Sequence, residues 1–410
     1  MRTTPKNANT QGAVPPRSRE FPRKSPYAVI LILLCLIALM EARHPFPSFR
    51  LATFILSFLA LAGMASRLRG KLRDGLVVLA SLAFGLSIIE ATAAIGETKE
   101  LYVVTNGVSV PQPIVGWGPE HAGRFHAEKT DPKSGVPIYR VDYTIDSNLL
   151  RETHSVETGP TIVFFGDSFT FGMGLNDADT LPQVFADLLG RKQRVLNLGF
   201  GGYGPQQFLV ELQTGRFDGV IGAQPRLFIF LTAAALHVER TACKPFWMRR
   251  GPRYALENGH VALKGACYEG LLLWVREWLE NMASYHLLIE PYLQRATHED
   301  VELYARVLLA AVNLAKEKYG VATLIPYFPA HGYHGYLNET DFSDDEIVQR
   351  LRDGGAMVVD VSLAKEEAAG AKLRIDGDGH PTPSANRLRA SLLKDYIEYR
   401  MPGTLVAGVP

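Results

Sequence analysis

The chain has 410 residues, more than a single domain usually contains, so the sequence predicts either two domains or one domain with appendages. Its 43 basic and 42 acidic residues give a formal net charge of +1, which argues against nucleic acid as a partner. No cluster of His and Cys has metal-site spacing, so neither a metal ion nor another cofactor is expected.

The first 25 residues form a basic segment. They carry six Lys or Arg side chains and four prolines but only one acid, Glu20, and they contain few apolar residues. Such a segment cannot bury enough apolar surface to offset the entropy of ordering it. We therefore expect residues 1–25 to be a disordered basic tail.

Three apolar segments follow the tail, at Tyr27–Met40, Leu51–Ala65 and Gly75–Ile95. The third has the roughly 20 residues that a helix needs to cross a bilayer, and the first two are shorter. Short spans can be accommodated by local thinning of the bilayer. The sequence thus predicts three transmembrane helices within residues 26–97. A signal peptide is the alternative for the first segment, although no clear A-x-A cleavage site follows it.

The positions of basic residues predict the orientation of these helices. Four of them lie between the second and third apolar segments: Arg67, Arg69, Lys71 and Arg73. Basic loops stay in the cytoplasm, as does the basic tail. Three crossings would place everything after Ile95 outside a bacterial inner membrane, in the periplasm or another extracytoplasmic space. The lipid bilayer is then a partner of residues 27–95.

The chain changes character after the membrane segments. Residues 98–158 contain alternating runs such as GVPIYRVDYTID and predict a small β-rich lead-in. From residue 159 to about 400, short apolar strands alternate with helical stretches. The predicted strands are Thr161–Phe165, Arg194–Leu198, Leu227–Leu231, Ala322–Tyr327 and Met357–Val361. The predicted helices lie near residues 180–190, 204–215, 300–318, 343–353 and 383–398.

Short continuous apolar strands between helices are typical of a parallel sheet covered on both faces. We therefore predict an α/β fold, a doubly wound three-layer sandwich with a five-stranded parallel sheet. Residues 240–300 interrupt the alternation and are interpreted as an insertion, and residues 401–410 as a tail. The insertion holds Cys243 and Cys267, which can pair in an oxidising compartment if their geometry allows it.

The first predicted strand of the sandwich ends in Gly166-Asp167-Ser168. This placement puts a serine hydroxyl at the carboxyl edge of the sheet, where open α/β folds bind their ligands. A nucleophile is one interpretation, and a simple helix cap formed by Asp-Ser is the other.

A base for this serine comes from the segment IDGDGHPTPSANRLRA. His380 precedes the last predicted helix in a Gly- and Pro-rich loop, and Asp378 is close enough in sequence to orient the imidazole. Together with Ser168 these residues predict a Ser-His-Asp relay. The plainer interpretation is that Asp-Gly-Asp-Gly forms an ordinary turn.

A serine esterase also needs donors for the oxyanion that develops at the substrate carbonyl. The N–H of Ser168 is one candidate. The second predicted strand ends in NLGFGGYGPQQ, whose glycines allow backbone amides to approach a substrate closely.

These blocks together resemble the SGNH, or GDSL-type, serine hydrolase family over about residues 160–400, in particular a membrane-anchored bacterial branch with YTIDSNLLRET and GDSFTFGMGLNDADTLP. The resemblance implies a flavodoxin-like sandwich and chemistry on acyl esters, often acetyl groups of carbohydrates. It implies that Ser168 is nucleophile and oxyanion donor, that Gly202 is a second donor, and that Asp378 and His380 complete the site.

Two positions depart from the pattern of that family. Its third block carries an Asn side chain as an oxyanion donor, but here FLTAAALHVER has Ala234 or Ala235 at the matching place. His237 is a candidate substitute, and without one we expect slow catalysis. The acid lies two rather than three residues before His380, so Asp376 is an alternative to Asp378.

Two functions follow from the sequence. The first is an envelope-facing, membrane-anchored serine esterase or O-acyltransferase that acts on acyl esters, with acetyl esters of a glycan or a similar substrate expected. The second is a weak or inactive module of the same fold that binds a carbohydrate or a partner protein.

Overall fold

The computed structural model describes residues 26–44, 49–96, 101–104, 107–293, 295–330 and 340–405. The predicted basic tail at residues 1–25 lies outside the described residues, as does the end of the C-terminal tail at residues 406–410. The chain divides into two compact units, Met1–Ile95 and Gly96–Pro410.

The first unit is helical. It contains α1 (Pro26–Arg43), α2 (Phe49–Ala65) and α3 (Lys71–Gly96). Among the described residues only α3 is long and apolar enough to cross a membrane by length and composition, and α2 is a shorter apolar helix. The prediction of three transmembrane helices is therefore corrected to one candidate. At a rise of about 1.5 Å per residue, α1 and α2 each extend roughly 26 Å, less than the hydrocarbon core of about 30 Å.

The second unit begins with antiparallel strands. They are β1 (Leu101–Val104), β2 (Val110–Gln112), β3 (Gly116–Gly118), β4 (Gly123–Thr130) and β5 (Pro137–Ile145). Strand β4 lies between β1 and β5, and β2 pairs with β3. Alternate residues of β5 are buried, among them Val141, Tyr143 and Ile145, which pack with Phe125 of β4. This alternation is the period of two that predicted strands here.

The main sheet is parallel. Its strands are β6 (Thr161–Gly166), β7 (Arg194–Gly199), β8 (Pro225–Phe230), β9 (Thr232–Ala233), β12 (Ala322–Phe328) and β13 (Met357–Asp360). All five predicted strands are confirmed. The sixth, β9, corrects the predicted number, because the chain leaves β8 at Leu231 and pairs again with the end of β12, with Tyr327 opposite Thr232.

Helices cover both faces of this sheet. They are α4 (Ser168–Phe171), α5 (Leu181–Leu188), α6 (Pro205–Thr214), α7 (Asp218–Ile221), α8 (Ala234–Thr241), α12 (His298–Tyr319), α13 (Asp344–Asp353), α14 (Ala364–Ala368) and α15 (Pro383–Arg400). In β6, Ile162 and Phe164 pack in the core that includes residues of α5 and α15, whereas Val163 and Phe165 pack in the core with α6 and α12. The predicted three-layer α/β sandwich is thus confirmed.

Residues 240–300 contain further elements that are not part of the sandwich. They include β10 (Pro252–Glu257), β11 (His260–Ala266), α9 (Gly270–Leu279), α10 (Ala283–Leu288) and α11 (Glu290–Leu293). A disulfide joins Cys243 to Cys267, whose Cα atoms are 5.5 Å apart. This cross-link holds the segment between the two cysteines in a closed loop.

The strand order β7-β6-β8-β12-β13 decides where a site forms. The chain passes from β6 outward to β7 and then returns across β6 to β8, which is the 2-1-3-4-5 order of flavodoxin-like sheets. Ligands of such sheets bind at the carboxyl ends of the strands where the direction of winding reverses. Here that point is the end of β6, directly before Asp167 and Ser168.

Candidate active site

Ser168 is the first residue of α4, immediately after β6. The turn between them needs Gly166, because its φ is +154° and a Cβ there would lie 2.2 Å from Thr170 Oγ1. Asp167 caps the helix by accepting a hydrogen bond from Phe169 N at 2.9 Å. The capping role therefore falls to Asp167, and the hydroxyl of Ser168 is left for other contacts.

Ser168, His380 and Asp378 form a hydrogen-bonded row. Ser168 Oγ lies 2.9 Å from His380 Nε2, and His380 Nδ1 lies 2.5 Å from Asp378 Oδ1. The carboxylate of Asp378 can only accept a hydrogen bond, so Nδ1 of His380 must carry the proton. Nε2 then has no proton and accepts a hydrogen bond from the hydroxyl of Ser168. This is the order in which a histidine can take the serine proton while its acid orients the ring.

Asp378 has a second partner, Lys129 of β4, whose Nζ donates to Asp378 Oδ2 at 2.9 Å. Burial would raise the pKa of Asp378, but the hydrogen bond and charge of His380 and the contact with Lys129 lower it to about 2. The alternative acid, Asp376, is 87% exposed and pairs with Lys372 at 3.4 Å. Among the described residues, His380 is therefore paired with Asp378 and not with Asp376.

Two backbone N–H groups adjoin this row. The amides of Ser168 and Gly202 have no hydrogen-bond acceptor within the described part of the chain. Gly202 has a φ of +80°, and a Cβ there would lie 2.8 Å from the ring of Trp247 and 3.2 Å from that of Trp117. A glycine is thus needed at position 202 for its backbone angle and for space.

Asp167 is fully buried beside Ser168. Its Oδ2 accepts from Arg240 Nη1 at 2.7 Å and from His237 Nε2 at 3.3 Å. Burial would raise the pKa of Asp167, yet the hydrogen bond from His237 and the charge and hydrogen bond of Arg240 hold it well below its usual range. The carboxylate is therefore ionised and fixed in place.

His237 does not have the geometry expected of an oxyanion donor. Its side chain is 0% exposed, and it is not among the residues that line the cleft at Ser168. Nδ1 contacts Thr232 Oγ1 at 2.8 Å, and Nε2 contacts Asp167. Burial lowers the pKa of His237, so the ring is neutral and both nitrogens are occupied. The methyl groups of Ala234 and Ala235 are buried as well and offer no donor.

The row opens into a cleft of about 970 Å³ that Ser168, His380 and Asp378 line together. One wall comes from the antiparallel strands, through Trp117, Lys129 and Tyr139. The opposite wall comes from the insertion, through Phe246, Trp247, Arg249 and Arg250. Trp117 and Trp247 meet edge to face with ring centroids 5.8 Å apart. Among the described residues no group of three or more His, Cys, Asp or Glu side chains is arranged to hold a metal ion.

Lys129 and Arg240 were missed by the sequence reasoning. Lys129 lies 249 residues from Asp378, and no local pattern connects the two. The sequence contains a weak signal for Arg240, because this residue lies in the short helix α8, which comes soon after the third predicted strand of the sandwich.

Comparison with known proteins gives structural similarity only. No protein-family model and no curated protein matches the chain. It is similar to a lipolytic protein of the G-D-S-L family from Veillonella parvula, with 13% identity, a TM-score of 0.36, and coverage of 58% of this chain and 97% of the other. It is also similar to a carbohydrate acetylesterase family member from Sinorhizobium meliloti, with 13% identity, a TM-score of 0.33, and coverage of 59% and 98%. At these scores the similarity carries no statement about substrate or activity.

Proposed function

We propose that this chain is a serine esterase of the SGNH type, or an acyltransferase with the same first half-reaction. The observation that carries the proposal is the hydrogen-bonded row Ser168–His380–Asp378, which ends in an open cleft. A serine hydroxyl is a weak nucleophile at neutral pH, and a histidine within hydrogen-bond reach activates it.

The reaction takes two steps. Ser168 Oγ attacks the ester carbonyl carbon and its proton passes to His380 Nε2, while the electron pair of the C=O bond moves onto the oxygen. That oxygen accepts hydrogen bonds from the free amides of Ser168 and Gly202. The tetrahedral intermediate collapses and expels the alcohol, which takes the proton from His380.

The second step regenerates the serine. Water, or a sugar hydroxyl in a transferase, attacks the carbonyl carbon of the acyl-Ser168 ester and gives its proton to His380. The bond between that carbon and Ser168 Oγ then breaks, the acid or the new ester leaves, and Oγ takes the proton back from His380. Asp378 stays ionised throughout, because its pKa is held near 2, and stabilises the imidazolium that forms in each step.

The substrate that we propose is an acetyl or similarly small acyl ester on a glycan. The cleft is wide, and Trp117 and Trp247 present aromatic surface beside Ser168. Amphipathic aromatic rings suit the partly apolar faces of sugars, and the polar groups of the cleft suit hydroxyls. The acyl group would lie at Ser168 while the sugar extends along the tryptophans.

We propose that the chain is anchored in a bacterial inner membrane through α3, the helix long enough to span it. Four basic residues lie close to the start of α3, which supports a cytoplasmic location for that end: Arg67, Arg69, Lys71 and Arg73. A single crossing of the membrane by α3, like the three crossings expected from the sequence, then leaves the second unit on the extracytoplasmic side. The disulfide between Cys243 and Cys267 fits an oxidising compartment.

The proposal is tested with the full chain in detergent. We expect release of acetate from p-nitrophenyl acetate and from an acetylated oligosaccharide, and loss of both activities in Ser168→Ala. Asp376→Asn serves as the matched control, because this exposed acid lies on the loop of His380 and pairs with Lys372. A folded wild-type chain that binds the oligosaccharide without turnover would establish the binding module instead.

A further inference from the structure

Arg240 occupies an unusual position beside the candidate active site. It lies near the end of α8, six residues after Ala234, and its side chain is 7% exposed. It nevertheless lines the same cleft as Ser168, Gly202 and His380. A buried arginine at the wall of a reaction site requires a reason beyond solubility, because burying a guanidinium is costly.

Two hydrogen bonds from one nitrogen fix the guanidinium. Nη1 donates to Asp167 Oδ2 at 2.7 Å and to the carbonyl oxygen of Tyr203 at 3.0 Å. Asp167 directly precedes Ser168, and Tyr203 directly follows Gly202. The guanidinium is therefore tethered to the neighbours of both residues whose amides face the cleft.

The remaining donors of Arg240 have no partner in the described part of the chain. Nε is buried and makes no hydrogen bond. Nη2 also makes no hydrogen bond to a described residue, but unlike Nε it is not fully buried. Nη2 is therefore accessible to solvent, and the cleft is the space that Arg240 lines. The planar guanidinium thus has two anchored N–H bonds and a free edge.

We infer that Arg240 is the third oxyanion donor of this site, in place of the amide side chain that is missing at Ala234 and Ala235. The inference rests on the proposed esterase function. When Ser168 Oγ bonds to the carbonyl carbon, the C=O pair moves to the oxygen, and that oxygen accepts from Nη2–H as well as from the two amides. On collapse the pair reforms the carbonyl and the alkoxide leaves with the proton of His380.

This assignment changes an expectation from the sequence. The missing amide predicts slow catalysis, since one lost oxyanion donor costs about a hundred- to a thousandfold in turnover. A guanidinium supplies a charged donor, and charge-assisted hydrogen bonds are the stronger kind. The site then has three donors, and the cost predicted from Ala234 and Ala235 does not arise.

The assignment also gives Asp167 and His237 a role. Asp167 accepts from Arg240 and, through its other oxygen, from Phe169 N, so it couples the arginine to the turn that carries Ser168. His237 donates to the same oxygen of Asp167 as Arg240 does, and its other ring nitrogen is held by Thr232. Asp167 and His237 are positioning residues, because they act through Arg240 and the turn.

Two simpler roles compete for Arg240. It can serve only as the counterion of Asp167, or it can bind an anionic group of the substrate. Two neutral substrates that differ only in the atom double-bonded to the carbonyl carbon, oxygen or sulfur, can distinguish oxyanion binding from these two roles. Phenyl acetate and phenyl thionoacetate serve here, since sulfur accepts hydrogen bonds poorly and an N–H oxyanion hole discriminates against it.

The experiment compares Arg240→Met, which has no N–H donor, with wild type, using the full chain in detergent. We expect kcat for phenyl acetate to fall about a hundredfold or more with KM changed less than threefold, and the ester-to-thionoester preference to fall at least tenfold. The control is Arg191→Met, at an exposed arginine paired with Asp187, which should leave both kcat and the ester-to-thionoester preference unchanged. An unchanged preference, or an effect confined to KM, would overturn the inference.

A second variant that keeps the ion pair with Asp167 is needed in case the first variant does not fold. Arg240→Lys retains the charge and a partner for Asp167 but loses the forked geometry. We expect it to fold and to show a lower ester-to-thionoester preference than wild type, and an unchanged preference would again overturn the inference. If wild type itself shows no Ser168-dependent turnover, the proposed function fails, which is distinct from an active enzyme that is indifferent to Arg240.

Discussion

Lys129 Nζ and Asp378 Oδ2 lie 2.9 Å apart although 249 residues separate them in the chain. Lys129 belongs to β4 of the antiparallel sheet, and Asp378 belongs to the loop before α15. Both side chains are almost fully buried. The antiparallel strands therefore contribute to the environment of the candidate acid.

Replacing Lys129 should weaken catalysis without abolishing it. In Lys129→Met the ion pair with Asp378 is lost, so the carboxylate is less firmly oriented and its pKa rises. We expect kcat/KM for a small acetyl ester to fall about tenfold, which is about 1.4 kcal/mol of transition-state stabilisation. Lys133→Met, at the exposed turn between β4 and β5, is the control. Equal activity of the two variants would show that Lys129 does not support the acid.

The proposed catalytic residues should differ in importance. Ser168→Ala and His380→Ala should each lower kcat at least about a thousandfold, because no neighbouring group can replace nucleophile or base. Asp378→Asn should cost less than either, and Asp376→Asn should retain the activity of wild type. The measurement is steady-state hydrolysis of p-nitrophenyl acetate with folding checked by circular dichroism. A damaging Asp376→Asn with a mild Asp378→Asn would reverse the assignment of the acid.

Gly202→Ala should impair turnover through its neighbours. The added Cβ meets Trp247 at 2.8 Å, so the turn that carries the amide at position 202 must shift. Gly320→Ala is a matched control, because Gly320 also has a positive φ, +66°, but has nothing within 4 Å of an added Cβ. We expect both variants to lose about 1 kcal/mol of stability and only Gly202→Ala to lose kcat, by about tenfold or more. Equal kcat values would remove Gly202 from the oxyanion site.

The disulfide between Cys243 and Cys267 leads to two predictions, one for the stability of the protein and one for the compartment of the second unit. It closes a loop across 24 positions, and opening such a loop should destabilise the protein by about 3 kcal/mol. We expect Cys243→Ser/Cys267→Ser to lower Tm, whereas Cys35→Ser, at the exposed free cysteine, should not. Titration of membranes prepared without reductant should find one free thiol per chain. Finding all 3 cysteines free would place the second unit in a reducing compartment.

Glu239, next to Arg240 in α8, predicts a pH dependence of stability. Burial raises the pKa of this carboxyl to about 7, and the repulsion of Glu290 adds to the effect. The folded chain therefore binds more protons than the unfolded chain between about pH 4 and 7, so stability falls as pH rises through this window. We expect Glu239→Gln to remove about 1 to 3 kcal/mol of that fall, measured as Tm against pH. If Tm depends on pH in the same way in wild type and Glu239→Gln, Glu239 is not the source of the fall in stability.

The sheet was predictable because its signal is local. Each strand of the sandwich is a short apolar run that ends at polar or glycine residues, and β6 with its six buried residues is the clearest case. The position of Ser168 and His380 at the same edge followed from the parallel arrangement. The short strand β9 was not predictable, since it depends on a change of direction at Leu231 that brings Thr232 against β12.

The missed residues depend on contacts between distant elements. Lys129 is one of several basic residues in the antiparallel strands, and only the packing of β4 against the loop of Asp378 distinguishes it. Arg240 lines the cleft from α8, which starts directly after β9, whereas His237 on the same helix contacts Asp167 and Thr232. Sequence spacing cannot tell which of the two side chains lines the cleft. The three apolar segments differ in length, and that difference, visible in the sequence, separates α3 from α1 and α2.

The most direct test of the esterase assignment is labelling of Ser168 in the full chain by a fluorophosphonate. The serine oxygen displaces fluoride from phosphorus, and the resulting adduct survives digestion, so mass spectrometry identifies the residue that carries it. We predict a single adduct on Ser168, absent from Ser168→Ala and strongly reduced in His380→Ala. A wild-type chain that unfolds cooperatively on heating yet carries no adduct on Ser168 would contradict the account.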